Sequence, residues 1–269
     1  MEIHPCADCL DVENLAILDF WLGTDCRTGA SSTAMDHEKF HGMHGVRKVV
    51  DPTDPLSYLC AWLALIPQGL CIVYVTLIWS TREIEVALLF AGQLACEALN
   101  FVLKRILKQE RPVRMQGKGY GMPSSHAQFV AFFAVSMCLF LLVRHQPPHP
   151  GVSRRNHTPM TLSERAIGGF LCLLMAASVA WSRVYLNYHT ELQVVVGSAA
   201  GAVSAVAWFL ITEIARRTGW VAWLVDSPPA RWLRVRDLCL EEDLCQAGWE
   251  KWDDRRTAQL QTRKGKKET

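Results

Sequence analysis

An all-α bundle that crosses a membrane about five times is the fold class this sequence predicts, and three observations carry the prediction. Leu56 to Trp79 is 24 residues without a charge, and Leu192 to Thr212 is 21 residues without one. At about 1.5 Å per helical residue, either run reaches across a hydrocarbon core about 30 Å thick. Between them lie Val86 to Leu103, whose only carboxyl is Glu97, and two shorter uncharged runs, Ala127 to Val143 and Ala166 to Trp181. The shorter runs need flanking residues to complete a crossing, and their alternative reading is as buried helices of a soluble bundle. A hydrophobic fraction of 50% and a net charge of +2 over 269 residues do not separate these readings, so the distribution of the charges decides.

Along the chain, residues 1–54 are polar, with Gly29-Ala30-Ser31-Ser32-Thr33 reading as a flexible stretch. They lack a basic stretch followed by an apolar one, so no cleavable signal peptide is expected. Residues 55–217 hold the five apolar runs. Residues 218–269 are charged and Trp-rich, and end in Arg263-Lys264-Gly265-Lys266-Lys267-Glu268-Thr269. Trp220, Trp223 and Trp232 suit a segment lying on the membrane interface, and they fit a small soluble subdomain equally well. Of the ten cysteines, Cys60, Cys71, Cys96, Cys138 and Cys172 fall in apolar runs and read as small hydrophobes. Cys6 and Cys9 form a lone C-x-x-C, with Cys26 downstream, and Cys239 and Cys245 have no ligand spacing. No metal and no cofactor is therefore expected.

Three polar blocks interrupt this apolar pattern. They are Lys104 with Arg111-Pro112, Pro123-Ser124-Ser125-His126, and Ser182-Arg183 with His189. A transferring phosphoryl group spreads charge over its equatorial oxygens and needs fixed cations and oriented N–H donors around it. Lys104, Arg111 and Arg183 supply cations, the arginines as planar forks that bind phosphate bidentately. Pro123-Ser124-Ser125 reads as a helix entry whose free N–H groups bind an anion. Two histidines, His126 and His189, are what a double displacement requires, one as nucleophile and the other as acid and then base. Each block alone reads as a snorkelling anchor or a structural histidine; the conjunction points to a phosphate site at a membrane edge.

These three blocks, in this order, resemble the signature motifs of the type 2 phosphatidic acid phosphatase superfamily. The stretches Tyr120 to Phe129 and Ser182 to Thr190 resemble its dolichyldiphosphatase branch in particular. The resemblance runs from about Asp51 to Arg217 and leaves the first 50 residues uncovered. It implies a metal-independent hydrolysis of dolichyl diphosphate, a polyisoprenoid diphosphate lipid, through a phosphohistidine. In it His189 attacks phosphorus, His126 protonates the leaving lipid phosphate and then activates water, and Lys104, Arg111, Arg183 and the N–H groups near Ser124 and Ser125 hold the phosphate. The wider superfamily has Gly at the position of Ser125 and Asp at that of Gln193. Both departures are shared with the dolichyldiphosphatase branch. If His189 opens a helix, Gln193 at i+4 lies on the same face, where its amide oxygen can accept from Nδ1–H and leave Nε2 to attack. Lys108, Arg114 and Lys118, in the same loop, read as solvated charges, with contact to the second phosphate of a diphosphate as the alternative. Glu97 and Asn100 are expected to orient Lys104 or to bond another helix. Alternative readings are a phosphatase of another lipid phosphate, such as phosphatidate or a sphingoid base phosphate, and a lipid-phosphate-binding protein without turnover.

Five spans put the motifs and the N-terminus on one side and the tail on the other. Lys266-Lys267-Glu268-Thr269 looks like a dilysine retrieval signal read by the cytosolic coat, which implies residence in the endoplasmic reticulum membrane with the site facing the lumen. Asn156-His157-Thr158 is a glycosylation sequon, usable only in the lumen and expected here to be unmodified.

Overall fold

The structure is a computed structural model that describes residues 54–109, 120–145, 160–240 and 244–268. Apart from isolated bridges, between Glu83 and Arg236 and at Tyr120, the regular structure of these residues is helical. Five segments are long and apolar enough to cross a membrane: Pro55–Thr81, Ile84–Leu107, Ser125–Arg144, Leu162–Tyr185 and Glu191–Arg217. Their outward faces carry exposed Trp62, Ile72, Trp79, Ile106 and Val203, an apolar surface that a bilayer covers and water does not.

The first segment is broken, although its sequence reads as one uncharged run. It forms α1 (Pro55–Leu63) and α2 (Ile66–Thr81), separated by Ala64 and Leu65. Pro67 has no N–H to offer the Leu63 carbonyl, so the hydrogen-bond ladder cannot continue through it. Helix α3 (Ile84–Leu107) returns beside α2 and ends at Lys108 in the left-handed region, φ 46°. Helix α4 (Ser125–Leu139), extended by a π turn over Phe140–Arg144, is the centre of the bundle. It buries Ala127, Gln128, Phe129, Val130, Phe132 and Ala134, too many faces for an amphipathic surface helix. Helices α5 (Leu162–Tyr185) and α6 (Glu191–Arg217) pack against it.

The approach of α6 to α4 depends on small residues. Gly197, Gly201 and Ala205 recur every four residues and so form one stripe. A Cβ at Gly197 would stand 2.6 Å from the Ser124 carbonyl oxygen, and one at Gly201 would overlap that of Gln128. Ala205 packs with Cys96 and Phe132 in the core, and the Trp208 indole donates to the Leu88 carbonyl at 2.9 Å, tying α6 to α3.

The helix order sends the C-termini of α3 and α5 and the N-termini of α4 and α6 to one end of the bundle. The start of α1 joins them, because the Tyr185 hydroxyl donates to Asp54 at 2.5 Å. The opposite end is closed by a buried charge network. Arg144 bonds Glu85 at 2.7 Å, and Arg216 bonds both Glu85 and Asp237. Beyond the last span, α7 (Trp220–Asp226) and α8 (Pro228–Trp232) lead into residues that dock on this end. Arg236 pairs with Glu83 at 2.8 Å, and the other Glu83 oxygen accepts from the N–H groups of Leu238 and Cys239. Burial, reinforced by Glu83, pushes the Cys239 thiol up to about 12. Helix α9 (Leu244–Glu268) follows. The sequon at Asn156 lies outside the described residues.

Candidate active site

At the end defined by α1, the bundle gathers the polar blocks of the sequence. Lys104 stands in the last turn of α3, half-buried. His126 is in the first turn of α4, also half-buried, and the charges of Arg183, His189 and Lys104 all act on it. The ring also meets the Ala64 backbone, which the break between α1 and α2 turns toward it. Arg183 is in the last turn of α5 and only 6% exposed. Its guanidinium lies over the Tyr188 ring, 4.2 Å from the centroid, and its carbonyl accepts from the N–H groups of Tyr188 and His189. Those bonds, together with Asn187 at φ 58°, fold the chain back so that His189 lies beside the helix end that carries Arg183.

His189 precedes α6 and does not open it; the N-cap is Thr190. Gln193 nevertheless reaches it, with Oε1 3.3 Å from His189 Nδ1. The same oxygen accepts from the Thr190 N–H at 3.3 Å, while the Gln193 N–H donates to the Thr190 hydroxyl at 3.3 Å. Gln193 is thus half of a capping box, and Thr190-x-x-Gln193 carries the sequence signature of one. With an acceptor on Nδ1, the imidazole proton sits there and Nε2 keeps its lone pair.

At α4 the anion-binding donors differ from those expected. The Ser124 N–H is committed to the Gln193 carbonyl at 3.1 Å, so it is not available to a phosphate. What Ser124 offers is its hydroxyl, which is buried and has no hydrogen-bond partner among the described residues. Ser125 starts the helix, and the N–H groups of the first turn there have no carbonyl within the helix to accept them. Arg111, with Arg114 and Lys118, lies outside the described residues, while Lys108 is the exposed cap of α3. Among the described residues no group of three or more His, Cys, Asp or Glu side chains could hold a metal ion.

Sequence reasoning missed Tyr188, Thr190, Ala64 and Asp54. Thr190 was recoverable from the capping signature. Ala64 was not, because its role follows from its meeting with His126, a contact between residues far apart in the sequence.

Comparison with known proteins gives the family of the chain. The model of the PAP2 superfamily matches residues 85–217. A Neurospora crassa protein provisionally named a dolichyldiphosphatase is 48% identical over 262 residues, covering 81% of this chain and 93% of that protein. Dolichyldiphosphatase 1 of Dictyostelium discoideum is 35% identical over 194 residues, 71% of this chain and 80% of that protein. The human dolichyldiphosphatase 1 is 38% identical over 168 residues, 60% of this chain and 68% of that protein. No solved structure matches the chain. On the match to its model and on these relatives, the chain belongs to the PAP2 superfamily, as a multi-span membrane protein of that family.

Proposed function

We propose that this chain hydrolyses dolichyl diphosphate to dolichyl phosphate and inorganic phosphate, recycling the lipid carrier of protein N-glycosylation. The observation that carries the reading is the pairing of His189 Nδ1 with Gln193 Oε1 beside Lys104, His126 and Arg183 at one end of a membrane bundle. Binding alone needs neither a nucleophile nor a proton donor, and this site holds a histidine for each.

In the proposed reaction His189 Nε2 attacks the terminal phosphorus. The bond between phosphorus and the bridging oxygen breaks, and His126 gives its proton to the departing lipid phosphate. Water then attacks the phosphohistidine, its proton passes to His126, and inorganic phosphate leaves. Lys104, Arg111 and Arg183 neutralise the equatorial oxygens, and the Ser124 hydroxyl with the free N–H groups from Ser125 onward completes the cradle. Gln193 fixes the tautomer of His189. No metal enters the scheme.

The substrate follows the names of the relatives, and the membrane setting suits a lipid whose diphosphate lies at the interface. The enzyme is placed in the endoplasmic reticulum membrane with the site facing the lumen, and Lys266 and Lys267 are offered to the cytosolic coat.

Phosphate release from dolichyl diphosphate by the purified protein in detergent tests the reading. Turnover that survives a chelator and is inhibited by vanadate is expected. Faster release from phosphatidate or a sphingoid base phosphate would reassign the substrate, and no release from any of them would leave a binding protein.

A further inference from the structure

A row of buried polar side chains runs down α3 from the site into the membrane. Gln93, Glu97, Asn100 and Lys104 are spaced by four, three and four residues, so they share one face. Gln93 and Asn100 are fully buried, and both carboxylate oxygens of Glu97 are buried with no hydrogen-bond partner among the described residues.

The amides flanking Glu97 are pinned from outside α3. Gln93 Nε2 donates to the Phe129 carbonyl at 3.3 Å, and Asn100 Nδ2 donates to Gln128 Oε1 at 2.7 Å. Gln128 is oriented in turn, because its Nε2 donates to the Cys96 carbonyl at 2.9 Å. Both amide nitrogens are therefore committed to α4. Their oxygens, Gln93 Oε1 and Asn100 Oδ1, are left buried and without a donor among the described residues, one turn before and one turn after Glu97. Among the described residues these three acceptor groups in succession have no donor, an arrangement that is costly in a low-dielectric interior. One proton on Glu97 resolves part of it, since the carboxyl then donates to one of the two amide oxygens. An ionised Glu97 must instead find a cation. The cation that acts on it is Lys104, two turns along the same face. Among the described residues Cys71 of α2 and Cys96 of α3 also feel Glu97, and α4 contributes neutral Gln128 at this level and His126 at the level of Lys104.

We propose that Glu97 is a positioning residue for Lys104 that exchanges a proton. Protonated, it is held by the flanking amide oxygens and leaves Lys104 to the phosphate; ionised, it competes with the phosphate for Lys104. This rests on the assignment of Lys104 to the phosphate site made above. The consequence is an affinity for phosphoryl ligands that weakens as pH rises, through a group that touches neither ligand nor nucleophile. Unit charges about 10 Å apart at an effective dielectric of about 20 set the scale of the effect at roughly tenfold.

Vanadate binding, read as thermal stabilisation of the full-length protein in detergent, tests this without any lipid substrate. Comparing variants at the same pH cancels the titration of vanadate itself. Glu97→Gln, locked in the neutral form, is expected to match the wild type at about pH 5 and to bind vanadate about tenfold more tightly than it at about pH 9. Glu97→Asp, which keeps an ionisable group, retains the response of the wild type. With dolichyl diphosphate the same pattern should appear in KM and not in kcat. Glu97→Gln binding vanadate no better than the wild type at alkaline pH, or equally better at both pH values, overturns the proposal. Should Glu97→Gln fail to fold, a Glu97→Asp protein without the pH response overturns it as well. Absence of turnover with an intact vanadate pattern would remove the dolichyl substrate and leave the role of Glu97 standing.

Discussion

Gln193 serves two structural tasks with one oxygen. It caps α6 through the Thr190 N–H and orients His189 through Nδ1. A carboxylate would offset the charge of a forming imidazolium; an amide fixes only geometry and tautomer. Gln193→Ala removes both tasks and is expected to lower turnover markedly, with the lost cap costing about 1 kcal/mol of stability. Gln193→Asp keeps an acceptor on a shorter stem and should retain part of the activity. Measured kcat values for the two variants check this, and equal wild-type rates would remove Gln193 from the site. The two histidines separate more sharply. His189→Ala should abolish turnover and the phosphoenzyme together, whereas His126→Ala should lose roughly 10²–10⁴-fold, the usual range for positioned acid–base groups. Phosphohistidine trapped in the His189 variant would reverse the assignment.

Between the residue and the bundle stands the contact of α6 with α4. Because the backbone of α4 occupies the space a side chain at Gly201 would need, Gly201→Ala forces the two helices apart along the stripe that begins at Gly197. A loss of about 1–3 kcal/mol is expected, read as a lower unfolding temperature in detergent. Activity should fall further than stability, since the Ser124 N–H bond to the Gln193 carbonyl lies at the head of the same stripe. By contrast Gly69, with open space around it, should accept Ala without loss of activity. Such distinctions are where sequence reading runs out. The five spans were legible because uncharged length is a one-dimensional property, and the His, Lys, Arg and Ser residues of the motifs were legible because phosphate chemistry restricts them to a few types. The break before Ile66 has a local cause in Pro67, but that it turns the Ala64 backbone to His126, like the close approach at Gly201, depends on what lies opposite in space. So does the pinning of Gln93 and Asn100 by α4, which turns two ordinary amides into oriented ones.

At the scale of the whole molecule, the ends of the bundle bear on how it sits in the membrane. Counting basic residues by sequence sets six between Lys104 and Lys118 against Arg144, Arg154, Arg155 and Arg165 in the opposite loop. Two of those four are engaged within the protein. Arg144 is buried against Glu85, and Arg165 donates to the carbonyls of Leu141 and His145. With six basic residues on the side of the site against four on the other, the positive-inside count does not by itself decide the orientation. The docked tail is a better reporter. Arg216, Asp237, Arg236 and Glu83 fasten residues 236–239 to the end opposite His126 and His189, so the tail cannot share the side of the site. Glu85→Gln should loosen this end by removing the carboxylate that Arg144 and Arg216 share; Arg216 keeps Asp237 at 2.6 Å and Arg144 keeps Glu213 at 3.7 Å, so the cost is about 1–3 kcal/mol. The unfolding temperature measures that loss, and the specific activity of the protein that still folds should change little. Two cysteines then locate the tail. Alkylation requires a thiolate, and a thiol raised to about 12 stays protonated at any pH at which microsomes remain sealed, so Cys239 should resist modification. Cys245 is exposed and should react. A membrane-impermeant maleimide added to sealed microsomes at about pH 7.5 is therefore expected to label a variant whose only cysteine is Cys245, while Asn156, on the same side, carries no glycan. Labelling only after detergent, together with a glycan on Asn156, would place the tail in the lumen and turn His126 and His189 to the cytosol.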